Sequence, residues 1–337
     1  MGVKELIKRL CEATGPSGDE DQVRNVIASE LNARAGEHTL ELYTDQLGNL
    51  VAHKKGPGDG RKIMLAAHMD EIGLVASYVD EKGYIRFGSV GGVDVLNLRG
   101  SRVRFTDGTG GVVGMEKLDE PSKVPNLDKL YIDVGAHDRE SCRVQIGAAA
   151  CFVRPFEDFG GRLVAKAMDD RIGCAVLIEL ASELKHSIHD LYYVFTVQEE
   201  VGLRGATTSS YGVDPQLALA VDVTGTGDTP EAPPMAVSLG SGPAIKVKDA
   251  GMLAHPGVKT WLVETAEAND IAFQLEVLTG GTTDARAIQT SRAGVPSGCV
   301  SIPCRYVHTP SEMVDYADVE GALRLLVAAL SGPLKGL

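Results

Sequence analysis

The chain has 337 residues, of which 44% are hydrophobic and 23% are charged, and its formal net charge is −13. This length exceeds one average domain of about 150 residues and lets the chain bury a full core without disulfides. The acidic balance argues against a nucleic-acid or anionic-membrane surface, because both need a dominant basic face. No apolar run approaches the roughly 20 residues of a membrane span, and the cysteines form no CxxC pair. We therefore expect a cytoplasmic protein with reduced thiols that binds neither nucleic acid nor membranes.

Two amphipathic helices are predicted in the first 35 residues, separated by the turn-forming string TGPSGDED. Strands are expected at about 38–43, 49–54 and 62–68. The last of these, KIMLAAH, is almost continuously apolar, as expected of a strand that is buried on both faces.

From about residue 74 the pattern changes to short strands separated by Gly and Asp turns, with one short helical piece near 136–143. Such a pattern predicts a small β-barrel or sandwich. After Gly161 strands and helices alternate again. Helices are expected at 168–185, 257–269, 283–290 and from about 317, and strands at 191–198, 217–223, 271–277 and 297–302.

This alternation predicts an α/β fold, an α/β/α sandwich with a mixed sheet. The main domain would be discontinuous and contain residues 1–73 and 162–337. A β-rich domain of residues 74–161 would be inserted into it.

Acidic residues and histidines stand at the ends of the predicted elements. His68 and Asp70 close the strand KIMLAAH, and the two-residue period puts them on the same side, where Asp70 can orient His68. Asp169 and Asp170 stand at the start of a helix, where they can equally well be capping residues.

Three further strand ends carry such residues. Glu199 and Glu200 end a buried strand, where adjacent carboxylates repel each other unless a cation is near or their roles differ. Asp222 lies in the apolar run ALAVDVT and needs a partner. His308 follows the strand CVSIP in a loop, where a lone histidine is often a surface residue. Two histidines with several carboxylates match a divalent metal site with nitrogen and oxygen ligands.

Six motifs follow one another along the chain: LAAHMDEIGL, KAMDDR, TVQEEVGLRGA, AVDVTGTGDTP, GGTTDARAI and IPCRYVHTPSEMVD. In this set and order the chain resembles the dinuclear metallo-aminopeptidases of the tetrahedral (TET) family. That family includes glutamyl and deblocking aminopeptidases, and some members carry an endoglucanase label. The resemblance covers nearly the whole chain. It implies a zinc-exopeptidase-like main domain and a PDZ-like inserted domain that forms dimers, which assemble into tetrahedral dodecamers.

The resemblance also implies two divalent metal ions per subunit, zinc or cobalt. His68 and Asp222 would bind the first ion, and Asp169 would bridge both. Glu200 and His308 would complete the second site.

The implied reaction is the hydrolysis of N-terminal residues from peptides with a free N-terminus. Glu199 would be the general base for a metal-activated bridging water, and Asp70 would orient His68. Two positions depart from the family pattern, Gly225 and Arg286. These departures concern the substrate pocket or the fit between subunits.

Three alternatives stand beside this reading. A cellulase or endo-β-glucanase would use Glu199 and Glu200 as its carboxylate pair, but neighbouring residues rarely flank a sugar bond from opposite faces. Another amidase, such as a deacylase, would use the same dinuclear site. A non-catalytic assembly or metal-storage protein would not need Glu199 beside a full ligand set.

Overall fold

The computed structural model describes residues 2–34, 40–58, 60–118, 120 and 123–334. Helices are α1 (Val3–Glu12), α2 (Asp21–Arg34), α3 (Met168–Glu183), α4 (Arg204–Val213), α5 (Pro256–Ala268), α6 (Asp284–Gln289) and α7 (Tyr316–Leu330). Strands are β1 (Glu41–Thr44), β2 (Leu50–Lys54), β3 (Lys62–His68), β4 (Gly73–Val79), β5 (Ile85–Val90), β6 (Arg102–Phe105), β7 (Gly110–Met115), β8 (Leu130–Asp133), β9 (Ala149–Phe152), β10 (Glu157–Asp158), β11 (Arg162–Ala165), β12 (Asp190–Thr196), β13 (Leu217–Thr224), β14 (Ala244–Lys248), β15 (Gln274–Val277), β16 (Ser297–Arg305) and β17 (Glu312–Asp315).

One mixed sheet forms the centre of the main domain. Its strands follow the order β1-β2-β12-β3-β13-β16-β17-β11-β10, and β14 pairs with both β15 and β16. The central strands β12, β3, β13 and β16 run parallel. On β3, Ile63 and Leu65 pack in the core shared with α1, α3 and α7, whereas Met64 and Ala66 pack on the side of α4 and α6. Helices cover both faces, so the predicted α/β/α sandwich with a mixed sheet is confirmed.

A second, smaller sheet closes on itself. Strands β4, β5, β8, β7, β6 and β9 form a closed barrel in that order. The barrel has its own apolar core, which includes Phe87, Phe105 and Phe152. The turn-rich segment therefore forms the barrel that was expected as one of two forms, a small β-barrel or a sandwich. The domain boundaries at residues 74 and 161 stay a prediction, and β10, inside these bounds, pairs with β11 of the main sheet.

The sequence patterns missed α4, β11, β14 and β17. The α4 segment, RGATTSSYGV, is rich in Gly, Ser and Thr, which have low helix propensity. The prediction of a helical piece near 136–143 is wrong. This segment forms a turn, in which the Ser141 hydroxyl accepts from the backbone N–H of His137 at 3.1 Å. The first two positions of the strand expected at 38–43 lie outside the described residues.

A buried ion cluster fixes the start of α3 to the chain that follows β3. Glu71 Oε1 accepts from Lys166 Nζ at 2.7 Å and from Arg171 Nη2 at 3.0 Å. Arg171 is fully buried and also donates to the carbonyl of Leu10 at 2.6 Å. These bonds connect α1, the end of β3 and the start of α3. Two of these elements carry candidate ligands, His68 on β3 and Asp169 on α3.

In the described part of the chain, no helix is long and apolar enough to cross a membrane. All six cysteines are free thiols.

Candidate metal centre

The candidate site lies where the parallel strands end. His68 ends β3, Asp222 lies near the end of β13, and His308 follows β16. Ligand sites of open α/β sheets commonly form at the carboxyl ends of the strands. A cavity of about 730 Å³ opens there, and it is lined by His68, Asp169, Glu199, Glu200, Asp222 and His308 among others. The structure thus brings all five candidate ligands and the candidate base to one cavity.

Asp169 occupies the centre of the cluster. Its Oδ1 lies 2.9 Å from His68 Nε2, and its Oδ2 lies 3.4 Å from His308 Nε2. His308 Nε2 is also 3.2 Å from Glu200 Oε2, and His68 Nε2 is 4.0 Å from Asp222 Oδ1. Each oxygen of Asp169 therefore faces a different histidine, as a bridging carboxylate requires.

Two sets of ligand atoms are close enough to share a metal ion. One consists of His68, Asp169 and Glu200, the other of His68, Asp170 and Asp222, and in each set the atoms lie within 4.8 Å of one another. Asp170 is the weakest candidate ligand because its two oxygens accept the backbone N–H groups of His68 and Gly173, both at 3.1 Å.

The pKa values of the cluster are strongly perturbed. Burial raises the pKa of Glu199, and the neighbouring carboxylates of Asp222, Asp284 and Glu200 raise it further. Burial lowers the pKa of His308, but its hydrogen bonds with Asp169 and Glu200 outweigh that effect and raise it to about 11. These shifts reflect an excess of buried carboxylates over the positive charge near them. A divalent cation with nitrogen and oxygen ligands fits this donor set, because it can neutralise the buried carboxylates.

Asp70 lies behind His68 and does not line the cavity. Its Oδ1 is 3.5 Å from His68 Nδ1, and its own backbone carbonyl is 3.2 Å from the same nitrogen. Its carboxylate also accepts from the Ser17 hydroxyl at 2.6 Å and from the backbone N–H groups of Glu199 at 3.0 Å and Glu200 at 3.2 Å. Asp70 can therefore orient the histidine and the chain after β12 together.

Glu312 supports the cluster through hydrogen bonds to the backbone, and the sequence patterns indicated no role for it. Its carboxylate accepts from the backbone N–H of His308 at 2.8 Å and from that of Asp169 at 3.0 Å. Both residues have unusual backbones, since His308 has φ 62° and Asp169 is non-helical at φ −75°, ψ 108°. A single buried carboxylate thus satisfies two N–H groups that regular secondary structure leaves unpaired. Its only signal in the sequence is a Glu in the motif that also contains His308.

Other buried charges near the cavity were also missed. Lys246 lines the cavity and forms an ion pair with the buried side chain of Glu276. Asp284, in the motif GGTTDARAI, accepts a hydrogen bond from the Thr196 hydroxyl. Burial raises the pKa of Asp284 to about 6.

The barrel contributes directly to the cavity. Gly92, between β5 and β6, lines the cavity next to His308. A Cβ atom at this position would overlap the imidazole ring of His308. At Gly91, a Cβ atom would lie 3.1 Å from Cβ of Glu200. Only residues without a side chain allow the barrel to approach the two ligands so closely.

Glu312→Gln should weaken divalent-cation binding roughly 10- to 100-fold, the usual effect of changing a residue that orients a metal ligand. Glutamine has one oxygen, so one of the two backbone N–H groups would face an amide NH₂. Equilibrium dialysis with zinc measures the dissociation constant. Glu264→Gln, at an exposed position of α5, is the control. Equal zinc affinity of the Glu312→Gln chain and the parent would contradict this role.

The chain is similar to proteins of one known family. The M42 glutamyl aminopeptidase family matches residues 48–325. Lysyl aminopeptidase of Pyrococcus furiosus is 35% identical over 342 residues, which cover 97% of this chain and 96% of the relative.

Solved structures agree with this comparison. The structure of aminopeptidase APDkam598 from the archaeon Desulfurococcus kamchatkensis is 40% identical with a TM-score of 0.93, covering 99% of this chain and 98% of that one. The structure of the TET1 peptidase of Pyrococcus horikoshii, which can assemble into a tetrahedron or a large octahedral shell, is 31% identical with a TM-score of 0.86 and covers 98% of this chain and 99% of that one. The chain belongs to the M42 glutamyl aminopeptidase family.

Proposed function

We propose that this protein is a metal-dependent aminopeptidase that removes N-terminal residues from peptides. One observation carries the proposal: Asp169 stands between His68 and His308 in a cavity that also contains a further glutamate, Glu199. Family membership and the names of the relatives support the same activity.

In the proposed division of roles, His68 and Asp222 would hold one divalent cation, and Glu200 and His308 would hold a second. Asp169 would contact both. The short distances from Asp169 to the two histidines support this division. Zinc and cobalt both accept such a set of nitrogen and oxygen ligands.

Divalent cations held by these residues would supply Lewis-acid polarisation of the scissile carbonyl and would compensate the negative charge of the cluster. Glu199 takes the proton of the attacking water and delivers it to the leaving amine. Burial raises the pKa of Glu199, which makes its carboxylate a stronger base. Asp70 fixes the position of Glu199 through the backbone N–H of that residue, with an N···O distance of 3.0 Å.

The glucanase alternative is not favoured by the geometry. Glu199 and Glu200 follow the same strand, and Glu200 Oε2 lies 3.2 Å from His308 Nε2. A glycosidase needs two carboxyl groups on opposite sides of a sugar ring. An amidase of another kind, such as a deacylase, would use the same site and differ only in the blocked amine of its substrate.

We also propose that residues 74–161 form an inserted domain through which subunits associate as dimers, which then assemble into a tetrahedral dodecamer. The closed barrel with its own core supports a separate domain. The shells formed by the TET1 peptidase of Pyrococcus horikoshii support the assembly. We place the protein in the cytoplasm, where its six free thiols would stay reduced.

Removal of divalent cations with EDTA should abolish hydrolysis of peptides with a free amine, and zinc or cobalt should restore it. Acetylation of the peptide's amine should abolish or strongly reduce cleavage, because the α-amine would no longer bind the cations or carboxylates of the cavity. Release of the N-terminal amino acid, measured by mass spectrometry, tests both. Full activity in a chelated chain whose metal analysis finds no ions would refute the proposal, and cleavage of acetylated peptides would favour the deacylase.

Glu199→Gln should lower turnover by roughly 10²- to 10⁴-fold, the usual contribution of a general base. Its metal content should stay that of the parent, because Glu199 holds no cation in the proposed roles. Asp169→Ala should instead lose metal, since it removes the oxygens that face both histidines. Kinetics and metal analysis of both variants decide between these roles. Parental turnover in Glu199→Gln, or parental metal content in Asp169→Ala, would show the assignment to be wrong.

Light scattering should give a mass well above the 35.7 kDa of one chain. Replacing residues 74–161 by a short linker should leave a soluble but smaller species, because the proposed subunit contacts would be lost. A monomeric parent protein would contradict the assembly, whatever its activity.

A further inference from the structure

Arg286 brings a guanidinium group to the substrate cavity. It lies in α6, is exposed, and lines the cavity beside Thr282 and Thr290. Apolar groups, among them Leu278 and Val307, line other parts of the same cavity. The cavity therefore combines apolar walls with one guanidinium group, a combination suited to a ligand with an anionic group.

The charge of Arg286 has no partner within the described residues. Another cationic side chain that lines the cavity, Lys246, forms an ion pair with Glu276. The two histidines of the cavity, His68 and His308, face Asp169. Arg286 forms no ion pair with a described carboxylate, whereas Lys246, Arg292 and Arg305 each form one.

One acidic side chain on the loop at Gly251, Asp249, has hydrogen-bond partners of its own. Asp249 accepts from the backbone N–H groups of Gly251 at 2.8 Å and Met252 at 2.6 Å, and from the Thr282 hydroxyl at 3.2 Å. Its other oxygen has no hydrogen-bond partner in the described part of the chain and lies 4.0 Å from Lys246 Nζ. Within the described residues the Arg286 guanidinium has no carboxylate partner, so it can bind a carboxylate that a ligand brings into the cavity.

Packing holds the stem of Arg286 in place. Its Cδ and Nε lie directly over Gly251, where a Cβ atom would overlap Cδ and come within 3.0 Å of Nε. A glycine at 251 thus leaves room for the arginine stem against the loop. Because the stem is already supported, the side chain loses less conformational entropy when its guanidinium binds a ligand.

We propose that Arg286 is a carboxylate-binding residue of the substrate cavity and selects peptides that present a carboxylate to it. This inference rests on the proposed aminopeptidase function. Its guanidinium can donate two parallel hydrogen bonds to one carboxylate. Two sources offer that group: the side chain of an acidic N-terminal residue, and the C-terminal carboxylate of a di- or tripeptide. Both fit the same chemistry.

Four peptides distinguish the two sources: Glu-Ala-Ala and Gln-Ala-Ala, each with a free and with an amidated C-terminus. They are compared by kcat/KM on the parent enzyme loaded with zinc. A Glu-over-Gln preference identifies the side chain as the source, and a free-over-amidated preference identifies the C-terminus. Either preference should fall roughly 10- to 100-fold in Arg286→Gln, the usual contribution of a hydrogen bond between charged groups.

Three variants make the test specific. Arg286→Lys keeps the charge without the two-pronged donor and should lose part of the preference. Gly251→Ala keeps the guanidinium but displaces its stem, and should also reduce the preference. Arg292→Gln removes an equal charge six positions away, where the arginine contacts Tyr211 and Asp214 outside the cavity lining, and should keep the parental ratios.

A parent enzyme that cleaves all four peptides without a carboxylate preference overturns the inference and leaves the proposed function intact. So does a preference that survives unchanged in Arg286→Gln, or one that Arg292→Gln reduces equally. A parent enzyme that cleaves none of the four peptides, yet releases N-terminal residues from other free-amine peptides, overturns the inference alone. Only a metal-loaded parent that releases no N-terminal residue from any free-amine peptide refutes the proposed function as well.

Discussion

Repulsion between buried carboxylates is the constraint on which the rest of this structure depends. Six acidic side chains around the cavity are at most 7% exposed: Asp70, Asp169, Asp170, Asp222, Asp284 and Glu312. Glu199 and Glu200 stand beside them, and two histidines supply the nearby positive charge. Burying one unpaired carboxylate costs several kcal/mol, so such a cluster needs strong compensation. Each surrounding element is arranged to provide part of it.

Part of the compensation comes from the backbone. Asp70, Asp170 and Glu312 each accept two backbone N–H groups, and most of these belong to residues that carry the candidate ligands or the base. The negative charges therefore stabilise the same backbone segments that present His68, Glu199 and His308. Left-handed backbone conformations of non-glycine residues are costly and persist only where surrounding contacts support them. Chemistry and local folding depend here on the same hydrogen bonds.

The sequence predicted the parts of the site that depend on local pattern. Asp222 was recognisable because a carboxylate in an apolar strand needs a partner, and strand period two placed Asp70 on the same side as His68. The ligand role of His68 came from the resemblance of the six motifs to a known family. The supports of the site were not predictable in this way. Glu312 bonds to the backbone of Asp169, 143 positions away, and Asp170 bonds to that of His68, 102 positions away. A backbone N–H is present at almost every residue, so nothing in the sequence marks which ones a distant carboxylate will bind.

Gly91 and Gly92 couple the position of the barrel to the positions of two candidate ligands, Glu200 and His308. The barrel packs around its own core, yet Gly92 touches the ring of His308 and Gly91 lies close to Glu200. A displacement of the barrel toward the sheet by the width of one methyl group would push against both side chains. These two contacts thus set the distance between the barrel and the sheet. A force on the barrel would therefore reach the His308 ring directly, because Gly92 has no flexible side chain that could move aside.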